Sequence, residues 1–161
     1  MLCSAGKEGT SMQKAIESFL AARRIAVVGV SRTRGFGNAA LEALRRGGWE
    51  AIPVNAEADE VKGERCYRSL DDVPGPLDAV LCVVPPVRAF AVVQGCVRRG
   101  VGKLWLQQGA ESPEVIALAE AAGIQVVHHA CILMYADPHG LHRFHGWLHH
   151  LGKPRPAVTA P

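Results

Sequence analysis

The sequence lacks the features of a membrane or secreted protein. No apolar run approaches the roughly 20 residues that span a bilayer, and residues 1–10 contain no apolar core of the kind that a secretion signal needs. The five cysteines include no CxxC pair, and an odd number of thiols without that spacing is typical of a reducing compartment. We therefore expect a cytoplasmic protein with free thiols.

Long runs of charge are also missing. The chain has 18 lysines and arginines against 15 aspartates and glutamates, which gives a formal net charge of +3. The basic residues are scattered along the chain and form no stripe of the kind that binds nucleic acid. We therefore expect a small anionic ligand, with neither nucleic acid nor a membrane among the partners.

Familiar catalytic motifs are absent as well. The sequence has no GxSxG nucleophile elbow, no HExxH metal motif and no paired-carboxylate catalytic motif. This predicts a binding protein with no catalytic residues and no catalytic activity of its own.

What the sequence does have is an alternation of apolar strands and helices. Ser11 and Ser112 are expected to cap two of the helices, and residues 56–78 to form a polar loop with one helical turn. The five predicted strands are residues 25–30, 49–55, 79–84, 103–109 and 124–129. The alternation predicts an α/β, Rossmann-like fold, a doubly wound five-stranded parallel sheet with helices on both faces. Ligands of such sheets bind beyond the carboxyl ends of the strands, so the residues that follow each strand are the candidates.

We expect one domain with a further helix behind it. Residues 1–10 are predicted to be a disordered tail, residues 11–135 the domain, residues 136–152 an amphipathic helix, and residues 153–161 a disordered end. In the amphipathic segment, large apolar residues fall on one helical face and histidines on another. That helix is the expected contact with a partner protein or a second copy of the chain.

The turn after the first predicted strand has glycines but no standard nucleotide motif. Gly29, Gly35 and Gly37 have a spacing that fits neither the GxGxxG fingerprint nor a P-loop, and no lysine follows them. A tight turn followed by a helix N-terminus can still bind phosphate, and Arg32 and Arg34 add positive charge there. A simple turn without a ligand is an equally good interpretation of these glycines alone.

The ends of the next two strands narrow the choice of nucleotide. An NAD site has an acidic residue after its second strand, whereas this chain has Asn55 there and its first acid at Glu57. Pro85 and Pro86 follow the third strand and are expected to form a rigid apolar lip, suited to an adenine face or an alkyl chain. These residues together disfavour NAD.

Five motifs, taken in order, resemble the small coenzyme A-binding domain family, which is related to the N-terminal domain of the succinyl-CoA synthetase alpha subunit. They are IAVVGVS, IPVN, GERCYRSLDDVP, LWLQQGA and the segment around Cys131. The likeness covers roughly residues 13–135, which is most of the chain. It implies a five-stranded Rossmann-like fold that binds coenzyme A (CoA), free or acylated, without a covalent bond.

The resemblance also implies which residues surround the ligand. The phosphates would lie in the turn after the first strand. We add Arg34 and Gly37 to the phosphate-binding candidates that the resemblance implies. The candidate binding residues are Gly29, Val30, Ser31, Arg32, Arg34 and Gly37 for the phosphates, Val54, Asn55, Val84 and Pro85 for the nucleotide, and Gln107 and Gln108 for the pantetheine.

The sequence departs from the family in two places. Ala56 stands where a proline and a basic residue often follow the PVN element, so Arg32, Arg34 or Lys62 would have to supply that charge. His128 and His129 stand where the family often has Asp-Arg. Since neighbouring residues of a strand point to opposite faces, we expect these histidines to bind no metal together.

Three alternatives stay open at this point. One is an NAD(P)-binding redox module, with Arg32 at the 2′-phosphate of NADP. Another is a thiol switch in which Cys131 acts with CoA, although a free cysteine is more often a small buried hydrophobe. The third is an interaction protein that works through its C-terminal helix.

Overall fold

A computed structural model describes residues 5–136 of the chain. Its helices and strands alternate in the predicted way. The elements are α1 (Ala5–Leu20), β1 (Arg24–Val28), α2 (Phe36–Arg46), β2 (Glu50–Val54), β3 (Glu60–Val61), β4 (Glu64–Arg65), a short 3-10 helix (Leu70–Asp72), β5 (Ala79–Cys82), α3 (Pro86–Arg99), β6 (Lys103–Gln107), α4 (Pro113–Ala121), β7 (Gln125–Ala130) and α5 (Leu133–Ala136).

The main sheet has five parallel strands in the order β2-β1-β5-β6-β7, which confirms the predicted α/β class. Strand β1 lies between β2 and β5, with Val28 paired to Val54 of β2 on one side and to Cys82 of β5 on the other. From β1 the chain moves to one side to form β2, and from β5 it moves to the other side to form β6. The strand order therefore reverses between β1 and β5, where ligands of doubly wound sheets bind.

The two faces of the sheet have separate hydrophobic cores. In β1, Ile25 and Val27 pack with α1 and α2, whereas Ala26 packs with α3 and α4, as the alternation of strand residues requires. Trp105 is fully buried on the α1 side, where its ring meets that of Phe19 edge-on with centroids 5.2 Å apart. The helices α2 and α3 thus cover opposite faces and approach the same sheet edge from two sides.

Local sequence signals account for most helix ends. The Ser112 hydroxyl accepts a hydrogen bond from the amide of Val115, which confirms the predicted cap of α4. Helix α3 starts with Pro86 and ends at Gly100, whose φ of 65° is a conformation that glycine adopts readily. The predicted cap at Ser11 is wrong, because α1 begins six residues earlier at Ala5.

The segment at residues 56–78 contains more structure than the single helical turn that was expected. Strands β3 and β4 form a two-stranded antiparallel hairpin, and the 3-10 helix packs against α3. Strands of two residues leave no periodic pattern in a sequence, because at least four residues are needed to show alternation.

The predicted C-terminal helix and the end at residues 153–161 lie outside the described residues, except for Ala136 in α5. Within residues 5–136, no helix has the length and apolar character needed to cross a membrane.

Candidate functional site

A cavity of about 670 Å³ opens at the carboxyl ends of β2, β1 and β5, the point where the strand order reverses. This volume falls in the usual range for small-molecule sites. Residues from the three strand ends, from residues 68–70 and from α3 form the lining. They are Val28, Gly29, Val30, Ser31, Val54, Asn55, Ala56, Glu57, Arg68, Ser69, Leu70, Val83, Val84, Pro85, Val87, Arg88, Ala91, Val92, Gly95 and Arg98.

A second cavity of about 600 Å³ lies against the outer strand β7, between α1 and the end of α4. It includes Met12, Glu120 and His128 in its lining but no residue of the predicted site. Only the first cavity combines the strand-order reversal with the glycine turn, so we treat it as the candidate site.

Two glycines bring the turn after β1 close to its neighbours. Gly29 has a φ of +111°, which side chains rarely allow, and a Cβ there would lie 3.1 Å from the Val83 carbonyl carbon. A Cβ on Gly37 would lie 2.3 Å from the Gly29 carbonyl oxygen. Gly37 therefore lets α2 pack directly on the turn, although it does not itself line the cavity.

A buried asparagine that the sequence reasoning missed holds this turn. The Ser31 amide donates to Asn38 Oδ1 at 2.7 Å, and Asn38 Nδ2 donates to the Ser31 carbonyl at 2.8 Å. Asn38 is only 4% exposed, so both bonds are shielded from water. The Ser31 amide, predicted to contact phosphate, is already bonded, and its place in the cavity wall is fixed by Asn38.

Asn55 joins the loops that follow β1 and β2. Its side-chain Nδ2 donates to the Val30 carbonyl at 2.6 Å, and its Oδ1 accepts from the Glu57 amide at 2.8 Å. Asn55 lines the cavity as predicted, but both ends of its side-chain amide are bonded to backbone. We infer that it shapes the site.

The cations predicted to meet the phosphates lie outside the cavity lining. The exposed Arg32 guanidinium donates to the Glu57 carbonyl. Arg34 is also exposed. Lys62 forms an ion pair with Glu42 of α2. The structure therefore does not bring these three side chains together at the lining.

Val84 and Pro85 line the cavity as predicted, and three arginines missed by the sequence reasoning lie on the same α3 side. They are Arg68, Arg88 and Arg98. Arg68 pairs with Asp59 at 2.6 Å, and Arg98 pairs with Asp71 at 2.7 Å. The arginine hydrogen bonds hold the pKa of each of these carboxyl groups below its usual value. Arg88 could have been found, since it follows Pro85 by three residues at the end of a predicted strand.

The glutamines predicted to follow the pantetheine lie elsewhere. Gln107 is 4% exposed, and its Oε1 accepts a hydrogen bond from the Ile132 amide at 3.0 Å. Neither Gln107 nor Gln108 belongs to the cavity lining.

Cys131 is half-buried and also lies outside the lining. Burial raises the pKa of Cys82 to about 12, which makes that thiol a poor nucleophile.

The prediction that His128 and His129 point to opposite faces is wrong. Their Nδ1 atoms lie 2.5 Å apart, because the β6–β7 register shifts at this point and His129 has a φ of +55°. Burial and the neighbouring His129 lower the pKa of His128. Among residues 5–136, no group of three or more histidine, cysteine or acidic side chains is arranged to bind a metal ion.

Known proteins are similar to this chain over the residues that form the sheet and the cavity. Residues 23–137 match the family described as CoA binding domain. The uncharacterized protein YneT of Bacillus subtilis is 31% identical over 111 residues, which cover 68% of this chain and 82% of that protein. A solved structure of a conserved hypothetical protein from Pyrococcus furiosus is 39% identical, covers 70% of this chain and 98% of its own, and superposes with a TM-score of 0.66.

A larger enzyme also contains a similar segment. The ADP-forming acetate–CoA ligase of Methanocaldococcus jannaschii is 32% identical over 80 residues, which cover 49% of this chain. The chain spans only 11% of that enzyme's length.

Proposed function

Because this chain belongs to the CoA binding domain family, we propose that it binds CoA or an acyl-CoA non-covalently in the cavity at the ends of β2, β1 and β5. The observation that carries the proposal is the Gly29–Gly37 contact, which leaves a tight turn open to the cavity at the strand-order reversal. A turn of this kind lets backbone approach a phosphate group closely.

The turn and the start of α2 suit the pyrophosphate. Gly35 caps α2 without any side-chain hydrogen bond, and the first turn of the helix has no acidic residue. The first N–H groups of a helix have no intrahelical partner and carry partial positive charge, so an anion is stabilised there. We propose that these amides, together with the backbone at Val30, hold the pyrophosphate, since the Gly29 amide already donates to the Val54 carbonyl at 3.0 Å.

The apolar part of the cavity suits the adenine ring and the start of the pantetheine. Val54 lies at one strand end, and Val84 and Pro85 lie at another, all within one lining. Apolar side chains on both sides of a slot can cover the two faces of a planar base. Gln107 and Gln108 have no part in this arrangement, and we place the pantetheine beside α3 instead.

The Asn55 side chain argues against an NAD site. In that kind of site, an acidic residue after the second strand binds the ribose hydroxyls. Here Asn55 occupies that place, and its amide is bonded to Val30 and Glu57. No carboxylate is therefore offered to the ribose at this position, and the orientation of the Asn55 amide is fixed by its backbone partners.

We propose that the chain acts as a binding protein, holding CoA for storage, for sensing or for presentation to a partner. Within the described part of the chain, the residues that line the cavity include no histidine, cysteine or lysine. The Ser69 hydroxyl is hydrogen-bonded to Asp72, and Cys131 lies outside the lining, which disfavours a covalent adduct between that thiol and bound CoA.

Isothermal titration of the reduced, ligand-stripped protein with CoA and, in parallel, with NADP tests this function. We expect micromolar binding of CoA and no heat from NADP. Binding of NADP without CoA would overturn the proposal in favour of a redox module. Silence from both ligands would overturn it as well, leaving the fold without the family's ligand.

A further inference from the structure

One arginine of the cavity is left without a partner by the fold. Arg68, Arg88 and Arg98 all line the cavity, and the first and last of these form ion pairs with aspartates. The Arg88 guanidinium has no hydrogen bond or ion pair with any residue of the described part of the chain, and the side chain is exposed. The cavity therefore contains one guanidinium group that forms no ion pair with the protein.

The position of Arg88 gives it no evident role in stability. It lies in the first turn of α3, which has no acidic residue and is capped by Pro85 without a side-chain hydrogen bond. The N-terminal end of a helix carries partial positive charge, so a cation there is mildly unfavourable. A bound anion would relieve this repulsion and would supply the missing partner.

The two charged regions of the cavity lie on different sides. The turn at Gly29 and the start of α2 belong to the α1–α2 side of the sheet, whereas Arg88 belongs to the α3–α4 side. A ligand that lies across the strand ends can therefore meet backbone amides at one place and a guanidinium group at another. CoA has two separate phosphate centres, the pyrophosphate and a phosphomonoester on the ribose 3′ oxygen.

We propose that Arg88 binds the 3′-phosphate and makes the cavity selective for CoA over dephospho-CoA; this inference rests on the proposed function. Amides of a turn and a helix start suit the pyrophosphate, which runs along the backbone. The planar fork of a guanidinium group suits a terminal phosphomonoester, which carries nearly two negative charges and three free oxygens. Arg68 and Arg98 are held by their aspartates, which leaves Arg88 as the specificity residue.

The test compares the affinities of CoA and dephospho-CoA for the wild-type protein and for Arg88→Gln by isothermal titration. We expect the wild type to prefer CoA by about tenfold, the usual size of one charge-assisted hydrogen bond. Arg88→Gln should lose that preference by binding CoA more weakly while binding dephospho-CoA as before. Arg88→Lys, which keeps the charge but not the fork, should retain part of the preference.

Arg46→Gln is the matched control. Arg46 is exposed at the far end of α2, about 15 Å along the helix from its start, so the same loss of charge there should leave both affinities unchanged. Thermal melting of each variant confirms that it is folded. An Arg88→Gln protein that changes both affinities equally, or neither, would overturn the role of Arg88 while CoA binding itself would stand. A wild type that binds neither ligand would overturn the proposed function too.

Discussion

The carboxyl edge of the sheet has two halves, and a buried amide side chain has a different role in each. The ends of β2, β1 and β5 form the switch-point half, and the ends of β6 and β7 form the closed half. Each half contains one buried amide, Asn38 or Gln107, both 4% exposed, and these are the two buried polar side chains among residues 11–136. Asn38 holds a turn that lines a cavity, whereas Gln107 ties the sheet to Ile132.

The difference between the halves follows from the path of the chain. At the switch-point half, the connections from β1 and β5 leave toward opposite faces and a crevice remains between them. At the closed half, the chain continues from β7 into α5, and the Trp105 indole donates to the Ala130 carbonyl at 3.1 Å. A polar residue at a strand end is thus a sign of a ligand site only where the connections diverge.

Gly37→Ala should have the largest effect on the switch-point half. The new Cβ would meet the Gly29 carbonyl oxygen at 2.3 Å, a backbone atom that cannot move without opening the turn. We expect a loss of about 3 kcal/mol in the free energy of unfolding and at least about tenfold weaker CoA binding. Urea unfolding and isothermal titration measure the two.

Gly9→Ala is the matched control for that change. Gly9 lies in α1 and has open space around a Cβ, so the better helix propensity of alanine should raise stability by up to about 1 kcal/mol. If Gly37→Ala behaved in the same way, the close contact between α2 and the turn would be refuted.

Asn38→Ala should have the next largest effect. It removes both hydrogen bonds to Ser31 and leaves a partly buried amide and a partly buried carbonyl without these partners. We expect a loss of about 2 kcal/mol in stability together with weaker CoA binding, because the turn is no longer held in place. Unchanged CoA affinity in the folded variant would show that the turn does not depend on Asn38.

Gln107→Ala makes the equivalent change in the closed half. The Ile132 amide loses its acceptor, which should cost about 1 kcal/mol of stability. We expect the CoA affinity to stay at the wild-type value, in contrast to Asn38→Ala. An equal loss of affinity in both variants would erase the distinction between the two halves.

The pH dependence of stability should come in part from His128, with a smaller effect. Burial and His129 hold its pKa below the usual value, and the carboxylates of Glu111 and Glu120 only partly oppose this. The unfolded chain takes up the proton first as the pH falls through about 6.5, so stability decreases there and levels off below the folded-state pKa.

Replacing this group tests the assignment. Urea unfolding of His128→Gln should show a smaller loss of stability between about pH 7.5 and about pH 5.5 than the wild type shows. CoA affinity should be unchanged, because His128 lies in the closed half. A variant with the same acid sensitivity as the wild type would place its source in another group.

The sequence was sufficient to predict which strand ends form the switch-point cavity. Five apolar runs predicted the strands, the rule that ligands lie beyond strand ends pointed to Gly29, Asn55 and Pro85, and the family resemblance added Val54. These residues are local to the strands, so their position follows once the strands are known. The same rule also selected Gln107, which the structure uses to close the sheet.

The α3 side of the site could not be found in this way. Arg68 comes from a segment that reaches the cavity because Tyr67 pairs with Val54 at the end of β2 and the 3-10 helix packs on α3. Whether a cation is free or paired also depends on neighbours that are distant in sequence: Arg98 and Asp71 are 27 residues apart. Arg32 and Arg34 are close to the turn in sequence, yet neither lines the cavity.

The most direct test of the difference between the two halves is an amide chemical-shift titration of the isotope-labelled full chain with CoA. We predict the largest shifts at Gly29, Val30 and Gly37, with little change at Gln108 and Cys131. Large shifts at Gln108 and Cys131 with none at the glycine turn would contradict the account and move the ligand to the half that we describe as closed.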